Sequence, residues 1–170
     1  MTPGEIHALR TMEGAFDNRS FQLKYLSEDA RLLGQFVRGS DEAAGYDIKA
    51  IVPVGMHQAI HPGETFFFKT GAALWINNPG YVGMVYVRSS IGCKRGLVLA
   101  NGTGVIDSDY QGEWIVALRN VTREVRLVEH GERIAQVVFQ CITHPQFTPV
   151  EEFGANTIRG AGGLGSTGVK

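Results

Sequence analysis

The sequence predicts an all-β fold: a sandwich, a barrel or a jelly roll. Three observations carry this. Turn signals such as His61-Pro62-Gly63 and Asn77-Asn78-Pro79-Gly80 recur about every ten residues. The segments between them are short and rich in β-branched and aromatic residues, which suit a pleated, half-buried surface. No long amphipathic helical pattern interrupts them.

Taken in order, residues 1–20 are polar and aperiodic, with Pro3, Gly4 and Gly14, and read as a mobile N-terminal extension. FQLKYL (21–26) alternates as a half-buried strand does. In SEDARLLG (27–34), Ser27 can cap one helical turn and Gly34 can end it. GSDEAAGYDIKA (39–50) reads as a turn entering a strand, and IVPV (51–54) continues extended to a proline. ETFFFKT (64–70), AALWI (72–76) and YVGMVYV (81–87) are strands; RSSIGCKRG (88–96) suits one short helical turn. LVLA (97–100) leads into a glycine-bearing hairpin. EWIVALRN (113–120), EVRLV (124–128) and RIAQVVFQCI (133–142) follow as strands, and PQFTPV (145–150) as a last edge strand, where proline is tolerated. From Glu151 onward apolar content collapses, so residues 21–150 form the β domain and 151–170 a glycine-rich arm.

At 170 residues the chain is one domain's length, and its 44 % hydrophobic and 19 % charged residues are ordinary for a globular protein. A net charge of −1 lacks the basic footprint of a nucleic-acid binder. No apolar run approaches the ~20 residues of a membrane span. The N-terminus carries Glu5, Glu13 and Asp17 and no apolar signal region, so a cytoplasmic setting is expected. Cys93 and Cys141 form no CxxC pair and no metal-ligand spacing, and are read as free thiols. His57 and His61 stand four apart without a helix to align them as a zinc pair. Trp75 and Trp114 are read as core residues.

Four stretches can carry chemistry. NGTGVIDSDYQGE (101–113) places Asp107 at the exit of a β-branched run, with Asp109 and Tyr110 following. Gly102 and Gly104 permit a tight hairpin, an acid at its exit can hold a water, and the tyrosine can floor a small pocket. RSS (88–90) sets an arginine and two hydroxyls at a possible helix start, a composition that suits phosphate. GERIAQ (131–136) puts Arg133 and Gln136 beside an apolar strand, with Arg133 either an ion-pair partner or a ligand contact. RGAGGLGSTG (159–168) has five glycines in ten residues; Arg159, exposed amides and the Ser166 and Thr167 hydroxyls are good phosphate ligands, though it is not a GxxxxGK[ST] loop.

Together with AGYDI (44–48) and RSSIG (88–92), these stretches occur in the order and spacing of the five motifs of the trimeric dUTPase family, which the chain resembles from about Phe21 to Thr167. The resemblance implies a jelly-roll-like β-barrel with at most one short helix and a flexible C-terminal arm. It implies a homotrimer whose active sites lie at subunit interfaces, the arm closing over a neighbour's site. The implied reaction is Mg²⁺-dependent hydrolysis of dUTP to dUMP and pyrophosphate, which limits uracil in DNA and supplies dUMP for dTMP synthesis. No nucleic-acid or membrane partner is implied.

By the same resemblance, Asp107 would activate a water for in-line attack on the α-phosphorus, with Gln136 touching phosphate or that water. Arg88, Ser89 and Ser90 would bind phosphate. Asn101, Val105, Ile106 and Ile115 would meet the uracil edge, and Tyr110 the deoxyribose face. Asp47 would hold waters on the metal, Mg²⁺ itself sitting mainly on substrate phosphates. Arg159, Leu164, Gly165, Ser166 and Thr167 would clamp the outer phosphates and the base on arm closure.

Two positions depart from the family. Leu164 stands where an aromatic residue usually stacks on uracil, so weaker arm closure is expected, and Val87 stands where proline is usual. A dCTP deaminase is the same-fold rival. Its further arginine would fall at Cys93, its catalytic glutamate at Ala117 and its tryptophan at Tyr110, so the proton shuttle has no agent here. A regulatory nucleotide-binding protein on the same fold is the other alternative.

Overall fold

The computed structural model describes residues 21–163. Among them are twelve strands, one α-helix and one π-helical turn. In chain order these are β1 (Gln22–Tyr25), α1 (Glu28–Leu33), β2 (Val37–Arg38), β3 (Tyr46–Lys49), β4 (His57–Ile60), β5 (Thr65–Lys69), β6 (Ala72–Trp75), β7 (Tyr81–Val87), the π-helical turn (Ser90–Lys94), β8 (Leu97–Leu99), β9 (Gly104–Ile106), β10 (Ile115–Asn120), β11 (Arg126–Glu129) and β12 (Arg133–Cys141). They build an all-β jelly roll. A five-stranded sheet runs β2-β3-β12-β7-β9 and a three-stranded sheet β5-β10-β8, with pairs β1-β6 and β11-β4 completing the wall.

The local signals act as the sequence suggests at α1. Ser27 is its N-cap, accepting from the Ala30 N–H at 3.2 Å. Gly34, at φ 64°, closes its other end by donating to the Ala30 and Arg31 carbonyls. The apolar alternation of β10 sends Val116 and Leu118 inward and Ile115 and Arg119 outward. Long-range packing finishes the job around Trp114, which is 2 % exposed. Its indole N–H donates to the Leu74 carbonyl at 3.2 Å, and Phe36 meets it edge to face at 5.0 Å. A Cβ at Gly83 would come within 3.1 Å of that indole, so this position of β7 favours glycine. Truncating such a buried aromatic costs about 3–5 kcal/mol.

Several expectations change. PQFTPV is not a strand: residues 143–150 are exposed coil, and Pro145 and Pro149 lack the N–H groups a ladder needs. Strand β4 arises in the polar stretch HQAI, which pairs with β11 from His57↔Glu129 to Ile60↔Arg126; a partner far along the chain decides it, not local periodicity. The short β2 is likewise set by its pairing with β3. The π-helical turn adds to α1, where at most one short helix was expected. The hairpin after β8 is a turn but not a paired ladder. Gly102 takes φ 75°, then β8 joins β10 while β9 joins β7. Gly104 is an ordinary strand residue needed for space: a Cβ there would sit 3.0 Å from that of Val85.

Candidate active site

Because β8 and β9 end different sheets, the chain that links them leaves a slot between two strand edges. The slot holds about 110 Å³. Asn101, Val105, Ile106 and Ile115 all line it, as the motif predicts, and Trp114 and Ala117 join them from β10 and its approach. Edge strands carry backbone N–H and C=O groups on one side that no neighbouring strand takes. A flat ring inserted there meets fixed donors and acceptors above an apolar floor.

Asp107 is the next residue after the slot-lining Ile106, and it is exposed. It borders a wider cavity of about 590 Å³, shared with Asp109, Asn77, Tyr81 and His144. The loop that carries it is pinned at several points. The Tyr110 N–H donates to the Asp107 carbonyl at 3.2 Å, and the Asn77 N–H to the Ser108 carbonyl at 2.8 Å. Glu113 accepts from the Gly71 N–H at 2.8 Å. Tyr110 does not line the slot; its hydroxyl donates to the Glu113 carbonyl at 2.9 Å, which lays the ring over Gly112.

A second cluster forms across β3, β12 and β7. Asp47, Gln136 and Tyr86 stand in one row of the sheet. Asp47 is buried at 5 % exposure. Arg88 donates to its Oδ1, and Arg133 to its Oδ2 at 3.2 Å. Two guanidiniums on one carboxylate leave the trio with a net positive charge, and charge-assisted bonds of this kind are the strong ones. Arg133 is thus an ion-pair partner of Asp47, the first of the two readings its sequence position allowed. The Arg88 backbone is held on both sides: its N–H donates to the Ile134 carbonyl, and its carbonyl accepts from Ile91 and Gly92. Ser89 and Ser90 follow, exposed, at the start of the π-helical turn, and the Ser89 hydroxyl makes no capping bond.

Gly45, just before β3, has a role that motif reading missed. A Cβ there would lie 2.5 Å from Oε1 of Gln136 and 3.3 Å from its Cβ, so the glutamine lies against bare backbone. Gly112 serves Tyr110 in the same way. Both glycines stand in motifs, but only the packed structure says what lies over them.

The two clusters do not meet within one chain. Asp47 stands three strands from β9, and Asp107 lies one step beyond Ile106, which faces Gly83. Three spacings of ~4.8 Å and four residues of ~3.3 Å put Asp47 and Asp107 roughly 20 Å apart. In the described part of the arm, residues 151–161 are all exposed, and Arg159 bonds locally, to the Gly162 carbonyl at 3.0 Å. Leu164, Gly165, Ser166 and Thr167 lie outside the described residues, as do residues 1–20.

Oxygen donors suit magnesium. Each Asp47 oxygen takes one guanidinium and keeps a further lone pair, which fits hydrogen bonding to metal-bound water better than direct ligation. Among the described residues no group of three or more His, Cys, Asp or Glu side chains is disposed to hold a metal ion. Cys93 and Cys141 are both free and exposed. No helix among the described residues is long and apolar enough to cross a membrane.

Slot, exposed acid and cation-rich carboxylate on a jelly roll define a class of nucleotide-handling β proteins, and comparison with known proteins narrows it. The dUTPase family model matches residues 34–168. A deoxyuridine 5'-triphosphate nucleotidohydrolase of Hydrogenovibrio crunogenus is 42 % identical over 153 residues, covering 88 % of this chain and 98 % of that one. One from Francisella philomiragia is 45 % identical over 131 residues, covering 77 % and 87 %. Among solved structures, the Staphylococcus bacteriophage 80alpha dUTPase with dUpNHpp superposes with a TM-score of 0.74 at 32 % identity, covering 89 % of this chain and 100 % of that one. A point mutant of the dUTPase from phage phi11 of S. aureus, described with a structural Mg(II) ion, superposes at 0.68 and 28 % identity, covering 81 % and 100 %. The chain belongs to the dUTPase family.

Proposed function

We propose that the protein is a magnesium-dependent dUTP diphosphatase that works as a homotrimer, with each site assembled from more than one subunit. The observation that carries this is the slot between β8 and β9: the four residues expected to read a base all line it, and Asp107 follows directly. Fixed backbone groups at the two strand edges match the donor and acceptor pattern of uracil and mismatch that of cytosine. A site built on such bonds rejects the wrong pattern by orders of magnitude, because its buried polar groups are then left unpaired. On this reading a slot of about 110 Å³ would also exclude the methyl of thymine.

Asp107 orients a water and takes its proton as the water oxygen attacks the α-phosphorus in line. The bond from that phosphorus to the bridging oxygen breaks, and pyrophosphate leaves. Arg88, Ser89 and Ser90 bind the phosphates, and Gln136 meets a phosphate oxygen or the attacking water. Magnesium carried on the triphosphate would supply charge neutralisation to the leaving group. Asp47 would hydrogen-bond waters carried by that metal, and Arg133 holds the carboxylate in place.

Trimer formation is supported by the ~20 Å between Asp107 and the Asp47 cluster in one chain, since no triphosphate-bound water can touch both from one subunit. A second copy supplying Asp47, Arg88 and Gln136 to the slot closes that distance. The exposed run from Cys141 to Ala161 is long enough to reach a further copy and carry Arg159, Leu164, Gly165, Ser166 and Thr167 there. Residues 1–20 lie outside the five motifs in sequence and are read as an extension. Two free thiols agree with a cytoplasmic setting.

Deamination of dCTP is disfavoured by a particular residue: Ala117 lines the slot where that chemistry needs a carboxylate, and it cannot move a proton. Pyrophosphate release should be measured with dUTP, dCTP, dTTP and UTP in the presence of Mg²⁺. Turnover of dUTP well above the other three is expected. Equal turnover of all four would defeat the base-reading role of the slot.

A further inference from the structure

We propose that Arg95 is a positioning residue for the turn that carries Ser89 and Ser90: its guanidinium fastens the far end of that turn to the segment that carries Arg133 and Gln136. The inference rests on the reading of the protein as a dUTP diphosphatase. It adds a residue that lies outside the five motifs.

Each end of the turn is tied to β12 or to its approach. At the near end the Arg88 N–H donates to the Ile134 carbonyl at 3.3 Å, and the Arg88 guanidinium donates to Asp47. At the far end Arg95 closes the π-helical turn, its N–H donating to the Gly92 carbonyl. Its side chain reaches away from the turn. One terminal nitrogen donates to Oε1 of Glu132 and the other to the Leu127 carbonyl on β11. Glu132 is fixed independently: its Oε2 accepts from the Glu129 N–H at 3.1 Å, and its carbonyl accepts from the Ala50 N–H at 2.9 Å. The next residue is Arg133, which shares Asp47 with Arg88. The circuit is therefore closed. From Arg88 it runs through Asp47, Arg133, Glu132 and Arg95, and returns along the turn. Ser89 and Ser90 are exposed residues on that returning segment.

A helical turn this short has little stiffness of its own, because helix formation is cooperative and its first turn is costly. The Ser89 side chain makes no capping bond to help it. Outside anchors must therefore hold the hydroxyls where a phosphate can use them. Arg95 suits the task, since a planar fork can bond a carboxylate on one segment and a carbonyl on another, whereas an ammonium is a point charge. The Arg95 and Glu132 side chains are 28 % and 24 % exposed, so the pair is better shielded from water than a surface bridge. Backbone bonds keep the turn in place without it: the Gly96 N–H donates to the Gly92 carbonyl, and the Gly96 carbonyl accepts from Val121, both at 3.0 Å. Losing the guanidinium thus loosens the turn rather than unfolding it. In-line attack needs the phosphate ligands and Gln136 in one mutual geometry, and small misplacements there are expensive.

The test compares the wild-type chain with Arg95→Ala, Arg95→Lys, Glu132→Ala and the double variant Arg95→Ala/Glu132→Ala. With Mg²⁺ present, it measures kcat for dUTP, the affinity for dUpNHpp and, by competition, the affinity for deoxyuridine, which has the base and sugar but no phosphate. In Arg95→Ala, kcat and dUpNHpp affinity should each fall about tenfold while deoxyuridine affinity stays as it was. Arg95→Lys should lie between that variant and the wild type. The double variant should lose less than the product of the two single losses, because both break the same contact. A purely structural bond would shift the urea midpoint and leave the ratio of the two affinities alone. Normal kcat and normal dUpNHpp affinity in Arg95→Ala overturn the positioning role and leave the hydrolase reading intact. So does an equal weakening of dUpNHpp and deoxyuridine. A wild-type chain that releases no pyrophosphate from dUTP removes that reading, and the positioning role with it. Should Arg95→Ala fail to fold, the same affinity ratio in Arg95→Lys decides the matter, an unchanged ratio counting against Arg95.

Discussion

Arg133 donates to Oδ2 of Asp47 at 3.2 Å, the oxygen that Arg88 leaves unused. The carboxylate is buried, whereas the Arg133 side chain is 52 % exposed. Solvent therefore screens this bond, and Arg133→Ala alone should cost about 1 kcal/mol of stability. Removing both arginines is different in kind, because it strands a buried charge, and about 3–5 kcal/mol should be lost. Urea unfolding of Arg88→Ala, Arg133→Ala and the double variant tests this. Simple addition of the single losses would mean that the two arginines do not back each other up.

Gly45→Ala should separate positioning from folding. The new Cβ meets Oε1 of Gln136, the far end of a flexible side chain, so stability should change by less than about 1 kcal/mol. Turnover should fall about 10- to 100-fold as the amide is pushed aside, since small misplacements at a reacting centre are expensive. A normal kcat together with a normal urea midpoint would remove Gln136 from the machinery.

Asp107 is exposed, so Asp107→Asn should fold and bind nucleotide while losing about 10²- to 10⁴-fold in turnover. Mixing it with Arg88→Ala chains, by refolding the two together, tests the shared site. If Asp107 and Arg88 come from different copies, random trimers should regain about one quarter of wild-type activity. Mixtures as inactive as their parents would place both residues in one subunit's site.

Deleting residues 159–170 should impair catalysis far more than stability. Residues 141–161 are exposed, and the bonds of Arg159 and Gly160 are local, so removing this stretch should take little packing from the β domain. Heat unfolding should be unchanged within a few degrees while kcat/KM for dUTP drops. Full activity in the shortened chain would exclude the arm from the site.

The strand pattern was legible because it is local. The β-forming residues of YVGMVYV, the alternation in EWIVALRN, the Ser27 cap and the Gly34 stop need no distant partner, and each took its expected form. So were the slot residues Asn101, Val105, Ile106 and Ile115, which motif order brought together before any coordinates did. Tertiary structure alone decided the rest. It sent β8 and β9 to different sheets and so made a slot where a paired hairpin was expected. It turned HQAI into a strand through β11, left PQFTPV without one, gave Asp47 its second arginine, and laid Gln136 and Tyr110 on Gly45 and Gly112. The physical reason is common to all of these: a residue's own preference is read from its neighbours in sequence, whereas pairing, desolvation and missing side-chain volume depend on whichever distant segment packs against it.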